Sequence, residues 1–385
     1  MPNTSLNFSN SVSHWEISEY LKDIDLMVVG AGIVGLTTAI FFKKNNPAAK
    51  VTVVERGIFP SGASTKNAGF ACFGSLSELL SDLELSSQDE VFRIVGDRLN
   101  GLKELKGLLN DQLIDYQPCG GFELFTKNDP GLFARCADFM PKANQILKDL
   151  HGLDSTYSIE SQQIDAFGFR DTDSMILNKH EGSIDTGKMM RGLIALARTL
   201  QIDILTGVSV NEWSQDAGCV HIRLNEKLNI TVNHFHIATN GFGNQLLPEE
   251  DVLPARAQVL ITEPIKGLKI KGTFHMDAGF YYFRNVGNRL LLGGGRNLDI
   301  AGETDTELRV TDRIQSKLDE LLQEVILPET DFEISHRWAG VMGVGKTKSP
   351  IIKHVSDNVT CSSRMGGMGV ALGTSVGRKS AEIIN

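Results

Sequence analysis

Residues 25–29 read Asp-Leu-Met-Val-Val and run into Gly30-Ala31-Gly32-Ile33-Val34-Gly35; residues 50–54 read Lys-Val-Thr-Val-Val and run into Glu55-Arg56-Gly57. The first pentapeptide reads as a short buried strand and the glycine-rich hexapeptide as the turn after it. Ile33 to Lys44 reads as a helix stopped near Asn45-Asn46-Pro47, and Lys50–Val54 as a second strand. In such a unit the first glycine allows the tight bend, the second lets the backbone approach a pyrophosphate, and the third lets helix and strand pack closely. The phosphate charge then meets a helix N-terminus. Glu55 follows Gly35 by twenty residues, where a carboxylate accepts hydrogen bonds from a ribose hydroxyl pair. Strand, fingerprint, helix, strand and acid in that order make Gly30, Ala31, Gly32, Ile33, Val34, Gly35, Glu55 and Arg56 an expected dinucleotide site.

Outward from this unit the chain does not continue as further βα repeats. A small-residue stretch, Pro60-Ser61-Gly62-Ala63-Ser64-Thr65-Lys66-Asn67-Ala68-Gly69-Phe70, comes next. Residues 76–115 read as helical, 120–125 as a strand, 131–151 and 186–199 as helices, and 205–240 as a small meander closing on Ala238-Thr239-Asn240-Gly241. Residues 252–296 are strand-rich. A helix is expected over 305–325, a strand near 334–338 with a loop to Lys348, and a closing helix after the turn Gly366-Gly367-Met368-Gly369. Interrupting sheet of this kind favours FAD over a nicotinamide dinucleotide. Val208 stands where a strand backbone could meet an adenine, Thr239, Asn240 and Gly241 where a strand end could pass the dinucleotide. A helix opening at Gly369 would favour a reduced flavin anion.

With these pieces in place the chain resembles the FAD-dependent D-amino-acid oxidase superfamily, near glycine oxidase, sarcosine oxidase and gamma-glutamylputrescine oxidoreductase. The resemblance is carried by VVGAGIVGLTTA (28–39), VVERG (53–57), GASTKNAGF (62–70), ATNG (238–241), RWAG (337–340) and GGMGVALGT (366–374). It implies an α/β fold with a Rossmann-type FAD-binding domain (24–110, 181–245 and 336–385) and a mostly antiparallel-sheet substrate domain (111–180 and 246–335). It further implies that Ala63, Ser64, Thr65, Asn67, Ala68 and Gly69 lie along the phosphates, ribityl chain and ring. Gly367, Met368, Gly369 and Val370 would lie by the flavin pyrimidine edge. Relatives that oxidise amino acids commonly clamp the carboxylate with one arginine just after WAG and another in the C-terminal loop. Here those places hold Met342 and Gly367, and neither can form a bidentate pair. No cysteine lies between Cys219 and Cys361, so FAD is expected to be held noncovalently.

Candidate catalytic residues stand on the expected covering sheet. Tyr282 and Arg284 share a strand face and would suit an anionic or polar substrate; a solvated face is the plainer reading. Arg296 follows three glycines, a site or a simple turn. His336 precedes Arg337 and Trp338 and reads more readily as structural than as a base. Lys66 could activate oxygen or pair with phosphate. His234 and His236 share a face without an evident third metal ligand, so no metal is expected. Cys72 reads as a packing residue.

The reaction expected is oxidation of an amine or amino acid at a C–N bond, with oxygen or a quinone as electron acceptor. The alternatives are oxidation of a 2-hydroxy acid, or a flavin-binding modification enzyme or partner protein that does not act on a free small amine. The net charge of −9 argues against a nucleic-acid partner. An odd cysteine count of five without a CxxC pair suits a reducing compartment, and no apolar run reaches the ~20 residues of a membrane span. A cytoplasmic enzyme with a small-molecule substrate is therefore expected.

Overall fold

The computed structural model describes residues 12–127, 130–216 and 218–384. Ile24–Val29 lies inside an eight-stranded sheet whose main path runs Ile351–Ser356, Val359–Ser363, Leu228–Ile237, Ile24–Val29, Val51–Glu55, Asp203–Thr206. From Val359–Ser363 to Asp203–Thr206 every neighbour is parallel. Leu26, Met27 and Val28 are fully buried, which is why the first strand is an unbroken apolar run rather than an alternating one. The hairpin Val210–Asp216 and Cys219–Leu224 extends antiparallel from Leu228–Ile237.

The second eight-stranded sheet runs Ile334–Val344, Leu253–Thr262, Arg289–Gly294, Tyr281–Val286, Thr273–Met276, Gly121–Thr126, Thr172–Asn178, Tyr157–Ile159. All its pairs are antiparallel except Thr273–Met276 with Gly121–Thr126. A small antiparallel pair, Phe70–Ala71 with Gly182–Ser183, ties the 62–70 loop to the segment before helix Thr186–Thr199.

Helix Ile33–Asn45 is apolar on most of its circumference and is buried accordingly. Part of its cover is the C-terminal helix Gly369–Ile384. The two approach through small residues: a Cβ at Gly377 would lie 2.0 Å from Thr37 Oγ1. Helix Gln88–Leu109 covers another side of the C-terminal helix, and a Cβ at Gly101 would lie 1.9 Å from the Ala371 carbonyl oxygen. Thr37 Oγ1 donates to Ile33 O at 2.7 Å, so its hydroxyl is satisfied inside this contact.

Several elements differ from the sequence reading. The expected helix over 76–115 is two helices, Leu76–Leu85 and Gln88–Leu109, because the Ser87 side chain accepts from Glu90 N and starts a second cap. The helix expected from 305 begins at Asp312. The preceding segment, turns at 301–304 and an irregular stretch to 311, is held by the fully buried Arg256, which donates to Glu303 Oε2 at 2.9 Å, Asp305 Oδ2 at 2.8 Å and Gly302 O at 2.8 Å. The strand expected near 334–338 continues to Val344, since Leu253–Thr262 pairs with its whole length. The domain boundary expected at 336 thus falls inside a strand of the second sheet.

Gly377→Ala should lower the denaturation free energy by about 1–3 kcal/mol through overpacking. Gly107→Ala, where a Cβ meets nothing within 4 Å, should raise it by about 0.5 kcal/mol. Urea titration of the two variants against the parent checks both signs.

Candidate active site

The tight turn after the first strand is made by Gly30, whose φ is +101°. Its N–H donates to Val54 O at 2.8 Å, and a Cβ there would lie 2.7 Å from the Ala238 carbonyl. The turn delivers the N-terminus of helix Ile33–Asn45 to a cavity of about 780 Å³ between the two sheets. Ile33 N donates to Ser64 Oγ at 3.0 Å, which folds the 62–67 loop over that terminus. Glu55 is buried; its Oε2 accepts from Ala31 N at 3.1 Å and its Oε1 from Gly57 N at 3.0 Å. The carboxylate is thereby fixed in orientation while each oxygen keeps a further lone pair. The Arg56 guanidinium lies 3.8 Å over the Phe242 ring.

The 62–70 loop is shaped from within and clamped from outside. Asn67 Nδ2 donates to Ala63 O at 3.1 Å and Ser64 O at 3.0 Å, and Asn67 Oδ1 accepts from Gly69 N at 2.9 Å. Thr65 Oγ1 donates to Pro60 O at 2.8 Å. From the second sheet, Trp338 Nε1 donates to Lys66 O at 3.0 Å, and Arg284 Nη1 donates to Gly69 O at 2.9 Å and Ile184 O at 3.0 Å. At the far side Asn240 Oδ1 accepts from Arg364 N at 3.0 Å, and Gly366 N donates to Gly343 O at 3.0 Å. These bonds set the turn that opens helix Gly369–Ile384 on the same cavity.

Of the expected dinucleotide residues, Gly30, Gly32, Ile33, Val34, Glu55, Arg56, Ala63, Ser64, Asn67, Ala68, Gly69, Val208, Thr239, Asn240, Gly367, Met368, Gly369 and Val370 line this cavity. Ala31, Gly35, Thr65 and Gly241 support the lining from behind: Gly35 sits against Gly30 O, and Gly241 against Met342 O. Of the expected catalytic residues, Tyr282 and Arg296 line it. Arg284 is spent on the main-chain carbonyls just described. His336 is exposed and stacks on Trp338 at 5.8 Å, outside the lining. Lys66 and Cys72 line the cavity; burial holds the Cys72 thiol well above its ordinary value, so it stays a thiol. His236 is buried, its Nδ1 2.8 Å from Thr360 Oγ1, and burial pushes it down to about 3, a neutral structural histidine.

The lining suits a dinucleotide bearing a negative charge. Two helix N-termini converge on it, and Thr239 Oγ1 is buried with no partner among protein groups. The positions of the missing arginines also converge: a Cβ at Gly367 would lie 3.3 Å from Met342 Sδ. That corner of the cavity holds a thioether.

Beyond Phe70 the lining turns polar, with Glu78, His275, Tyr282, Arg296 and Lys348. His275 and Tyr282 are cross-strand partners and both meet the Phe70 ring edge-on, with centroids at 5.0 and 5.8 Å. Burial pushes the Tyr282 hydroxyl up to about 12. Arg296 is half-buried, donates weakly to Thr304 Oγ1 at 3.4 Å, and its Nε has no partner among protein groups. His275, Glu78 and Lys348 escaped the sequence reading. His275 carried one usable signal: pairing Met276 with Tyr281 around the loop 277–280 puts it opposite Tyr282. Glu78 shows in sequence only as the end of a Ser-x-x-Glu helix cap.

Behind this polar end lie Glu123 and Glu181. Both are buried, and burial raises each to about 7 despite the hydrogen bonds each accepts, Glu123 from Ser77 and Glu181 from Phe73 N and Gly74 N. Arg98, which donates to Phe73 O at 2.9 Å, is the nearby cation.

A family model described as FAD dependent oxidoreductase (DAO) matches residues 25–383. A curated relative, the probable oxidoreductase OrdL of Rhizobium meliloti (strain 1021), is 24% identical over 375 residues, covering 94% of this chain and 83% of that protein. Among solved structures, L-proline dehydrogenase from P. horikoshii superposes with a TM-score of 0.74 at 16% identity, covering 94% of this chain and 93% of that one. Glycine oxidase from Geobacillus kaustophilus gives 0.72 at 15% identity, with 94% of each chain covered. These likenesses establish a shared fold. No described helix is long and apolar enough to cross a membrane.

Glu123 supplies a pH test of this interior. Its folded value of about 7 lies above the ordinary 4.5. Its protonated form therefore favours the fold at low pH, and that contribution is lost as pH rises from about 4.5 to about 7. Between pH 4.5 and 8 the parent should lose on the order of 2–3 kcal/mol of stability relative to Glu123→Gln. Denaturant midpoints of both proteins across that range provide the measurement.

Proposed function

The chain belongs to the FAD-dependent oxidoreductase (DAO) family, and on that premise we propose that it oxidises an amine or amino acid at a C–N bond, giving an imine that hydrolyses in water. When bound, FAD supplies the hydride acceptor and passes the electrons on to oxygen or a quinone. The residues of the chain do the holding and orienting. The turn 30–35 and Ser64 would cradle the pyrophosphate, Glu55 would take the ribose hydroxyls, and Val208 with Arg56 would border the adenine. Asn67, Ala68 and Gly69 would run beneath the ring, with Gly367–Val370 at its pyrimidine edge. FAD held in this way needs no covalent bond.

The observation that carries the C–N reading is the polar end of the cavity. Glu78 is held below its ordinary value: burial alone would raise it, but Lys348, Arg98 and His275 together outweigh that effect. An ionised carboxylate therefore lines the substrate end, where it suits a cationic group. The two positions at which relatives place a carboxylate clamp offer only Met342 and Gly367. The structural neighbours L-proline dehydrogenase and glycine oxidase, both named for amino-acid substrates, point to C–N chemistry as well. A second reading, oxidation of a 2-hydroxy acid, rests on Arg296, whose guanidinium has donors to spare for one carboxylate. Tyr282 and Arg296 are the substrate-facing residues of the sequence reading that we retain.

The test is anaerobic bleaching of the protein-bound flavin by propylamine, 1,4-diaminobutane, sarcosine, glycine, L-proline and lactate. Bleaching by at least one amine or amino acid and not by lactate is expected. Bleaching by lactate alone would replace the C–N reading with the second one. Arg296→Met should weaken apparent binding of a carboxylate-bearing reductant about tenfold or more, the loss of a charge-assisted hydrogen bond, and leave a simple amine unchanged.

A further inference from the structure

His275 is a polar group of the cavity that the fold alone does not explain. It is 8% exposed, lines the cavity, and its buried Nε2 has no hydrogen-bond partner among the described residues. Such an atom is destabilising when left unpaired in a folded interior. The register fixes its place. Thr273–Met276 lies between Gly121–Thr126 and Tyr281–Val286, so His275 stands beside Glu123 on one side and Tyr282 on the other. Phe70 meets it from the small sheet, Glu78 on helix Leu76–Leu85 is close enough to interact with it electrostatically, and Lys348 from the loop after Val344 interacts in turn with Glu78. Lys348 is itself paired with Asp82 at 2.6 Å, and Arg98 lies behind with Glu181 and Cys72. The chain leaves His275 through three consecutive left-handed residues, Asp277, Ala278 and Gly279, with φ of +50°, +50° and +85°. For the first two, which carry a Cβ, that conformation is strained. The turn closes the loop 277–280 against the helix that carries Glu78, since a Cβ at Gly279 would lie 3.4 Å from Glu78 Cδ.

We propose that His275 is the base that deprotonates the substrate amine, so that the enzyme binds its substrate as the ammonium ion that predominates in water. The proposal rests on the C–N reading above. The ammonium N–H bond breaks as a ring nitrogen of His275 forms an N–H bond, giving imidazolium and free amine; charge is conserved and no co-reactant is needed. Only the free amine can release a hydride from its carbon, because the nitrogen lone pair must be available to form the imine. Glu78 holds the ammonium on arrival and then the imidazolium. Burial keeps free His275 below its ordinary value, with the Glu78 charge opposing that shift, so the base is neutral and ready at neutral pH.

The test compares anaerobic flavin reduction by the most active amine of the panel in the parent and in His275→Asn across pH 7–10. The flavin absorbance spectrum serves as the check on folding. In the parent the second-order rate of reduction should be nearly independent of pH over 7–9, since the site does the deprotonation. In the variant it should fall by about 10²-fold or more at pH 7, rise close to tenfold per pH unit, and approach the parent as solution supplies free amine. A second readout uses no turnover. In ¹⁵N-histidine spectra of the parent holoenzyme, tert-butylamine, which lacks a hydrogen on the carbon bearing nitrogen, should shift one unprotonated histidine nitrogen as it accepts a hydrogen bond from the bound ammonium, without protonating it. His275→Asn or His275→Gln assigns that signal. Parallel pH profiles in parent and variant, or no histidine change on tert-butylamine binding, would overturn the assignment of His275 while leaving the C–N reading intact. Reduction by lactate and by no amine would overturn both.

Discussion

Thr37 and Gly377 touch across 340 residues of chain, and the site depends on that contact. Helices Ile33–Asn45 and Gly369–Ile384 can lie this close only because Gly377 carries no side chain, and the Gly101–Ala371 approach on the other flank admits none either. Held there, both helices present their N-termini to one cavity. One terminus is positioned by Gly30 and Ser64, the other by Asn240 and Gly343. Two partial positive charges contributed by opposite ends of the sequence thus face the same space.

The second sheet does two jobs with the same strands. Toward the dinucleotide side it clamps the 62–70 loop by main-chain carbonyls, through Trp338 and Arg284. Toward the polar end of the cavity it presents His275 and Tyr282 on adjacent strands against Phe70. The division explains why Arg284 and Tyr282, on one face of one strand, end in different roles. Tyr282 reaches the cavity, whereas Arg284 is two residues further along and meets the end of the loop.

Sequence patterning anticipated the βαβ end of the cavity lining well, because its signals are local. The apolar run 25–29, the spaced glycines and Glu55 sit within one βαβ unit and need no tertiary knowledge. The substrate half was less legible because its residues meet only through register. His275 matters through pairing with Tyr282, and Glu78 through a helix packed over the hairpin turn; neither contact leaves a motif. The boundary near 336 and the helix start at 305 failed for a related reason. A continuous partner strand extends Ile334–Val344, and one buried arginine, Arg256, keeps 302–307 out of the helix. Absence was more readable than presence: Met342 and Gly367 are far apart in sequence, yet they fall at one corner of the cavity.

The claim on which all of this rests is that one FAD spans the cavity between the two helix termini. A crystal structure of the flavin-loaded protein tests it most directly. The account expects the pyrophosphate at the N-terminus of Ile33–Asn45, with the ribose hydroxyls on Glu55. It expects the ring between the 67–70 loop and the polar end formed by His275 and Tyr282, its pyrimidine edge at Gly367–Gly369. Density for FAD outside this cavity, or with the adenine at the His275 end, would contradict it.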